Sequence, residues 1–165
     1  MQNLYIDFDG VIMNTIEVSY KMMEEENIDL KDYKAVENFY RHTDWNLLLK
    51  KSKEINNAWT SIKELQISGK FDISILTHVN SLEETEEKVK TIRKYFRDIT
   101  IIPVPKSISK TKMLNPVNSI LVDDYAHNLI EWQKAGGIGV RFDLDMDGKG
   151  FPVIDNLKKL IDMFS

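Results

Sequence analysis

The chain has 165 residues, which suits one compact domain with a single main core. Its hydrophobic content of 42% and charged content of 29% are ordinary for a globular protein. No stretch approaches the roughly 20 apolar residues of a membrane-spanning helix, and a net charge of -4 argues against a general nucleic-acid binder. The absence of cysteine excludes disulfides, thiolate nucleophiles and Cys-based zinc sites. No secretory signal pattern is recognisable, so we expect a cytoplasmic location.

The first predicted strand lies in residues 4–11, an apolar run that ends in two acids and a glycine. Residues from 15 to about 69 have a helical pattern, and Gly69 can provide the left-handed conformation that ends a helix. Within this segment, apolar residues recur at spacings of three and four and would bury one helix face: Ile55, Ala58, Trp59, Ile62 and Leu65. A second strand follows directly at residues 71–77.

The second half of the chain alternates helices with strands. Ser81 and Glu84 form a capping-box pattern before a helix whose acids precede its bases, an order that complements the helix dipole. Strands are predicted at residues 99–104, 119–122 and 138–142, with a helix at residues 125–135 between the last two. Asp155 is expected to cap a terminal helix.

This alternation predicts an α/β fold: a three-layer, doubly wound parallel sheet covered by helices on both faces. In such sheets, ligands bind at the carboxyl ends of the strands, where the strand order reverses. Several polar residues fall at predicted strand ends: Asp7, Asp9, Thr77, Asp123 and Asp124. We expect one domain covering residues 1–165, in which residues 15–53 form a small helical cap inserted after the first strand.

The strand-end acids indicate a magnesium site. Four converging carboxylates would repel one another unless a cation lay among them, and magnesium prefers oxygen ligands. Gly10 allows the chain to curl so that Asp7 and Asp9 reach one site. One aspartate is then a competent nucleophile for phosphorus, and a second can protonate the leaving oxygen and later deprotonate water.

Asp7-Phe8-Asp9-Gly10-Val11 resembles the first signature of the haloacid dehalogenase-like (HAD) hydrolase superfamily. The resemblance implies a magnesium-dependent phosphatase with Asp7 as nucleophile and Asp9 as general acid and base. It also implies that Asp7 and Asp9 belong to the magnesium site, Asp9 through its main-chain carbonyl, and that Gly10 lies beside the phosphate.

The resemblance extends over most of the chain. Thr77 is similar to the second signature, a hydroxyl that binds the phosphoryl oxygens, and the adjacent His78 would contact the substrate. Lys110 matches the third signature best, a lysine that neutralises the phosphate and the nucleophile, although Lys106 and Lys112 remain alternatives. The fourth, acidic signature corresponds to a magnesium-binding pair with a supporting amide one helical turn later: Asp123, Asp124 and Asn128.

Within the superfamily, the chain looks like the 5′-nucleotidase and deoxyribonucleotidase branch, which implies a nucleoside monophosphate substrate. Phe39, Tyr40 and Trp45 would either stack on a base or form the core of the insertion, and the core reading is favoured. Asn14 and Thr15 would line the entrance. The alternatives are a phosphatase for sugar phosphates or other metabolites, and a catalytically silent phosphate- or nucleotide-binding protein. We expect no polymeric nucleic-acid partner, no membrane, and a monomer or homodimer.

A second Asp-x-Asp-Gly text occurs at residues 145–148. Together with Asp143 it resembles the start of a calcium-binding loop. However, Ile154 occupies the position that requires a bidentate glutamate, and no helix precedes the loop. We therefore interpret it as an acidic surface turn.

Overall fold

The computed structural model describes residues 1–165 and contains one all-parallel sheet in the order β3-β2-β1-β4-β5-β6. Its strands are β1 (Gln2–Ile6), β2 (Phe71–Val79), β3 (Thr100–Pro105), β4 (Ile120–Asp123), β5 (Ile138–Phe142) and β6 (Val153–Ile154). The parallel pairing of every neighbouring strand confirms the predicted α/β fold class.

Seven α-helices connect and flank the strands. They are α1 (Thr15–Glu25), α2 (Tyr33–His42), α3 (Trp45–Lys51), α4 (Ala58–Ile67), α5 (Leu82–Arg93), α6 (Ala126–Lys134) and α7 (Leu160–Met163). Short 3₁₀ helices lie at Lys110–Lys112 and Leu157–Lys159. None of the helices combines the length and the apolar character that crossing a membrane would need.

The two faces of the sheet are buried by different hydrophobic clusters. Leu4 and Ile6 of β1 belong to the larger cluster, which also contains residues of α1 to α4, whereas Tyr5 packs against the smaller cluster around Trp132 of α6. Alternate side chains of a strand point to opposite faces of the sheet, so neighbouring residues of β1 enter different clusters. Burial on both faces explains why the strands read as continuous apolar runs.

β1 lies at the point where the strand order reverses. The chain runs from β1 outward through β2 and β3, and then returns to place β4 on the other side of β1. The main-chain amide of Asp7 donates to the Val122 carbonyl at 2.9 Å, which keeps the ends of β1 and β4 side by side. The residues that follow these two strands therefore face one crevice.

Several element boundaries differ from the sequence expectation. β1 ends at Ile6, so residues 7–11 form a turn. β6 was not predicted. The predicted cap at Asp155 is wrong: the Asn156 side chain accepts from the Lys158 amide at 3.0 Å, while Asp155 pairs with Lys159 at 2.7 Å. Asparagine and aspartate are both good capping residues, and here Asn156 is the one that directly precedes the helix at Leu157–Lys159.

The core can be tested with two isoleucines of opposite exposure. Ile75 of β2 is fully buried in the larger cluster, whereas Ile67 at the end of α4 is 81% exposed. We expect Ile75→Ala to lower the free energy of unfolding by about 2–5 kcal/mol because it leaves a cavity, and Ile67→Ala to change it by less than about 0.5 kcal/mol. Urea denaturation measures both, and equal effects would contradict this core assignment.

Candidate active site

The turn after β1 places two aspartates at the crevice. The Phe8 carbonyl accepts hydrogen bonds from the amides of three later residues, and the Phe8 ring is fully buried. Gly10 has a φ of +76°, and a Cβ built on it would lie 2.3 Å from Asp124 Oδ2. A side chain at residue 10 would therefore clash with the Asp124 carboxylate, which is a physical reason for glycine here.

Lys110 joins the ends of β1 and β4. Its amine donates to Asp7 Oδ1 at 2.8 Å and to Asp123 Oδ2 at 2.7 Å, and all three side chains are buried. Asn128 of α6 also donates to Asp123 Oδ2, at 3.0 Å, and the Tyr125 amide donates to Asp123 Oδ1 at 2.9 Å. Burial raises the pKa of Asp123, but Lys110 and these hydrogen bonds outweigh it, so the net pKa is lowered.

Asp7, Asp123 and Asp124 form the acid cluster, in which one oxygen of each carboxylate lies within 4.8 Å of the others. Burial and the neighbouring acids raise the pKa of Asp7 to about 7 and that of Asp124 to about 9. Such shifts express the repulsion among buried carboxylates that a divalent cation removes. Three carboxylate oxygens at this spacing form a donor set that suits a hard cation such as magnesium.

The Asp9 carboxylate lies outside the acid cluster, although Asp9 follows Asp7 by only two residues. Its Oδ1 accepts from the Thr15 hydroxyl at 2.6 Å, and its Oδ2 accepts from the Lys88 amine at 2.7 Å. Thr15 is the first residue of α1, so the helical segment between β1 and β2 supplies one of the two contacts. The other predicted entrance residue, Asn14, instead accepts from the Lys53 amide at 2.7 Å.

Lys88 and Glu84 of α5 are site residues that the sequence reading missed. Lys88 Nζ lies 2.6 Å from Glu84 Oε2, and both side chains are 1% exposed. Ser81 accepts from the Glu84 amide, as the capping box predicts, but the Glu84 carboxylate binds the main-chain and side-chain nitrogens of Asn80 instead of returning to Ser81. The sequence does contain one indication of their burial. Glu84 and Lys88 are spaced four residues apart and share a helix face with the apolar Ile92.

The end of β2 forms the next wall of the site. The buried Thr77 hydroxyl accepts from Lys88 at 3.0 Å. The neighbouring His78 lines the cleft, with Nε2 at 2.9 Å from the Ile108 carbonyl. Burial lowers the pKa of this imidazole, so it is neutral at physiological pH and donates through Nε2.

A cleft of about 440 Å³ opens above the aspartates. Its aromatic and apolar lining comes from α1 to α3 and from the loop after β4: Ile16, Tyr20, Tyr40, Trp45 and Tyr125. Tyr40 and Trp45 line the cleft and also pack in or against the core, whereas the third predicted aromatic, Phe39, lies in the core. Of the alternative lysines, Lys106 is exposed at the cleft and Lys112 is exposed elsewhere.

The second Asp-x-Asp-Gly motif, at residues 145–148, forms an exposed turn that is stabilised by local hydrogen bonds. The Asp147 amide donates to Asp143 Oδ2 at 2.9 Å, and the Lys149 amide donates to Asp147 Oδ1 at 3.0 Å. The Arg141 guanidinium donates to the Asp147 carbonyl and pairs with Asp143. The side chains of Asp143 and Asp147 therefore stabilise the turn, in agreement with its interpretation as an acidic surface turn.

The fold is shared with solved structures of HAD-superfamily hydrolases. A subfamily IA HAD hydrolase from Geobacter sulfurreducens has a TM-score of 0.67 at 13% identity, with 99% of this chain and 100% of that chain covered. A HAD phosphatase from Thermococcus onnurineus has a TM-score of 0.62 at 16% identity, with 100% and 98% covered.

CbbY from Rhodobacter sphaeroides, solved in complex with phosphate, has a TM-score of 0.61 at 13% identity, with 97% and 96% covered. No protein-family model and no curated protein sequence matches the chain. At these identities the likeness establishes the HAD-like fold, so the role of each site residue depends on its own contacts.

Because of the acid cluster, we expect the free energy of unfolding of the protein to depend on pH and on magnesium. Because the pKa values of Asp7 and Asp124 are raised above those of the unfolded chain, the folded protein holds more protons between about pH 4 and pH 9. Its free energy of unfolding in EDTA therefore falls as pH rises through this window, by more than about 1 kcal/mol. Magnesium should recover more stability at pH 9 than at pH 5, since it competes with protons.

Urea denaturation with EDTA and with MgCl₂ measures this dependence. Asp124→Asn removes one titrating group and should flatten the pH dependence, whereas Asp145→Asn in the exposed turn serves as the matched control and should leave it unchanged. Equal slopes in the wild type and both variants would show that the cluster does not titrate in this way.

Proposed function

We propose that this protein is a magnesium-dependent phosphatase that hydrolyses a small phosphomonoester, a nucleoside 5′-monophosphate, through an aspartyl-phosphate on Asp7. The observation that carries the proposal is the position of Asp7: it lies at the reversal of strand order, bound to Lys110 and within reach of Asp123 and Asp124. The HAD-like fold, shared with a HAD phosphatase and with a protein solved in complex with phosphate, supports it.

Asp7 is suited to attack phosphorus. Its buried carboxylate accepts a hydrogen bond from Lys110 through Oδ1, and the carboxylates of Asp123 and Asp9 are close enough to raise its pKa. The lysine charge offsets the repulsion between the carboxylate and an incoming phosphate. The Thr77 hydroxyl donates to the His78 carbonyl at 3.3 Å and would exchange this long hydrogen bond for one to a phosphoryl oxygen. A magnesium ion held by Asp7, Asp123 and Asp124 would add electrostatic stabilisation of the phosphoryl charge.

Asp9 is the group that moves protons in the proposed reaction. As Asp7 bonds to phosphorus, the bond to the leaving oxygen breaks and that oxygen takes a proton from Asp9. In the second step, water gives a proton to Asp9 and attacks phosphorus, which releases phosphate and restores the Asp7 carboxylate. Asp9 lies at the cleft surface with its carboxylate directed away from the acid cluster, so its contacts are compatible with this separate role.

The residues that line the cleft favour a substrate that has one phosphate group and is otherwise uncharged. Apart from the buried lysines beneath the aspartates, Lys106 is the one lysine or arginine of the lining, and the wall from α1 to α3 has none. This wall therefore has no cation for a second phosphate, whereas the partly exposed Tyr40 offers aromatic surface for a base. Ser19 and Asn80 add polar groups that also suit a sugar, so sugar phosphates remain the comparison substrates.

A phosphate-release assay tests the proposed function. With MgCl₂, we expect release from nucleoside 5′-monophosphates to exceed release from sugar phosphates and from p-nitrophenyl phosphate, and EDTA to abolish it. Asp7→Asn should reduce kcat by roughly three orders of magnitude or more because the nucleophile is lost. Asp145→Asn is the matched aspartate control and should retain full activity.

Three outcomes of this assay distinguish the alternatives. Preference for sugar phosphates would change the substrate class and keep the mechanism. Activity that survives EDTA, or that is unchanged in Asp7→Asn, would exclude the aspartyl-phosphate mechanism. Magnesium-dependent binding of nucleotides without any turnover would support a silent binding protein instead.

Substitution of three lysines, one at a time, tests which amine binds the phosphate. Lys110→Met should lower kcat by about 10²- to 10³-fold, since it removes a buried cation beside the nucleophile. Lys112→Met changes an exposed lysine of the same 3₁₀ helix and should leave kcat unchanged. Lys106→Met should affect KM more than kcat because Lys106 lies on the cleft wall. Steady-state kinetics measure all three, and a larger kcat loss at Lys106 would reverse the assignment.

A further inference from the structure

We propose that Lys88, held by Glu84, is a positioning residue for the Asp9 carboxylate; this inference rests on the proposed phosphatase function. Lys88 is fully buried, and its amine lies 5.4 Å from the ring centroids of both Phe8 and Trp45. An amine is costly to bury, and in this position it faces the side chain that transfers protons.

The hydrogen bonds of Lys88 leave it no donor for a substrate. An ammonium group has three N–H donors. Four oxygens lie within hydrogen-bonding distance of Lys88 Nζ: Glu84 Oε2 at 2.6 Å, Asp9 Oδ2 at 2.7 Å, Thr77 Oγ1 at 3.0 Å and the His78 carbonyl at 3.0 Å. Lys88 therefore acts through Asp9 and does not contact the phosphate.

Glu84 fixes Lys88 from the other side. Its Oε1 accepts from the Asn80 amide at 2.7 Å and from the Asn80 side chain at 2.9 Å, which leaves Oε2 for the lysine. Burial and Asp9 raise the pKa of Glu84, although Lys88 lowers it, and the pKa of Lys88 is raised because the attraction of Asp9 and Glu84 exceeds the effect of its burial. The ammonium group is thus held between Glu84 and Asp9.

Together, Lys88 and Thr15 occupy both oxygens of Asp9 and hold its carboxylate away from the acid cluster. Without the amine, the Oδ2 oxygen loses its partner and the side chain becomes free to rotate. A buried pair such as Glu84 and Lys88 is weak evidence for stability, since apolar side chains of similar volume stabilise a protein equally well. Its location against Asp9 gives it a role in orientation.

A double-mutant cycle separates positioning from a direct or purely structural role. With p-nitrophenyl phosphate and MgCl₂, we expect Lys88→Met to lower kcat by about 10²-fold with KM nearly unchanged. In the Asp9→Asn background, the same substitution should change kcat by less than about twofold, because Lys88 then has no general base to orient. Losses that multiply in the double variant would overturn the proposal.

Two companion variants guard against misfolding. Lys88→Met with Glu84→Gln removes both charges, while the glutamine can still accept from Asn80, so the double variant should fold and show the same kcat loss. Lys90→Met changes an exposed lysine of the same helix and should behave as the wild type. If the double variant folds and keeps the wild-type kcat, Lys88 does not position Asp9.

Crystal structures of the wild type and of the double variant with inorganic phosphate give a readout that does not need turnover. We expect the Asp9 carboxylate to leave the Thr15 hydroxyl in the variant and to keep it in Lys90→Met. An unchanged Asp9 would exclude the positioning role even if the protein is a phosphatase. A displaced Asp9 in a protein without phosphatase activity would refute the proposed function and leave the positioning role intact.

Discussion

Two buried lysines divide the carboxylates of this site into two groups, and the proposed chemistry depends on that division. Lys110 binds Asp7 and Asp123, and Lys88 binds Asp9 together with Glu84. Five ionisable acids converging at one sheet edge without these amines would raise one another's pKa values and hold protons at neutral pH. Asp124 is the acid that neither lysine contacts, and its pKa is raised to about 9. At neutral pH Asp124 therefore holds a proton that a divalent cation would displace, and the three carboxylates would then exceed the single positive charge of Lys110.

The sheet topology brings these groups together from distant parts of the sequence. β1 lies between β2 and β4, so Asp7, Thr77 and Asp123 occupy neighbouring strand ends although they are widely separated along the chain. Parallel pairing fixes the height of each strand end because its hydrogen bonds set the register. Lys110 then spans from β1 to β4 at the crevice, and the strand order and the lysine reinforce each other.

The sequence was most informative where one residue type has few alternatives. Acids at the ends of apolar strands predicted the crevice, and the glycine after Asp9 predicted the curl at Gly10, because strand burial and backbone conformation are local properties. Lys110 was preferred among three lysines on resemblance alone, since burial of a lysine in a loop has no local signature. Lys88 was missed because it stands in a run of charges that fits an exposed helix equally well, and its burial results from how α5 packs near Trp45.

The two groups depend on different parts of the fold. Asp7, the proposed nucleophile, and Asp123 follow or end strands of the sheet and are held by Lys110 of the 3₁₀ helix and, for Asp123, by Asn128 of α6. Asp9 instead takes one contact from Thr15 of α1 and one from Lys88 of α5, whose amine lies near Trp45 of α3. The helices between β1 and β2 thus form the aromatic cleft wall and also contact Asp9, the proposed proton-transferring residue. A change in these helices that alters which substrate fits would therefore also alter the placement of Asp9, while the strand ends that hold Asp7 would stay in place.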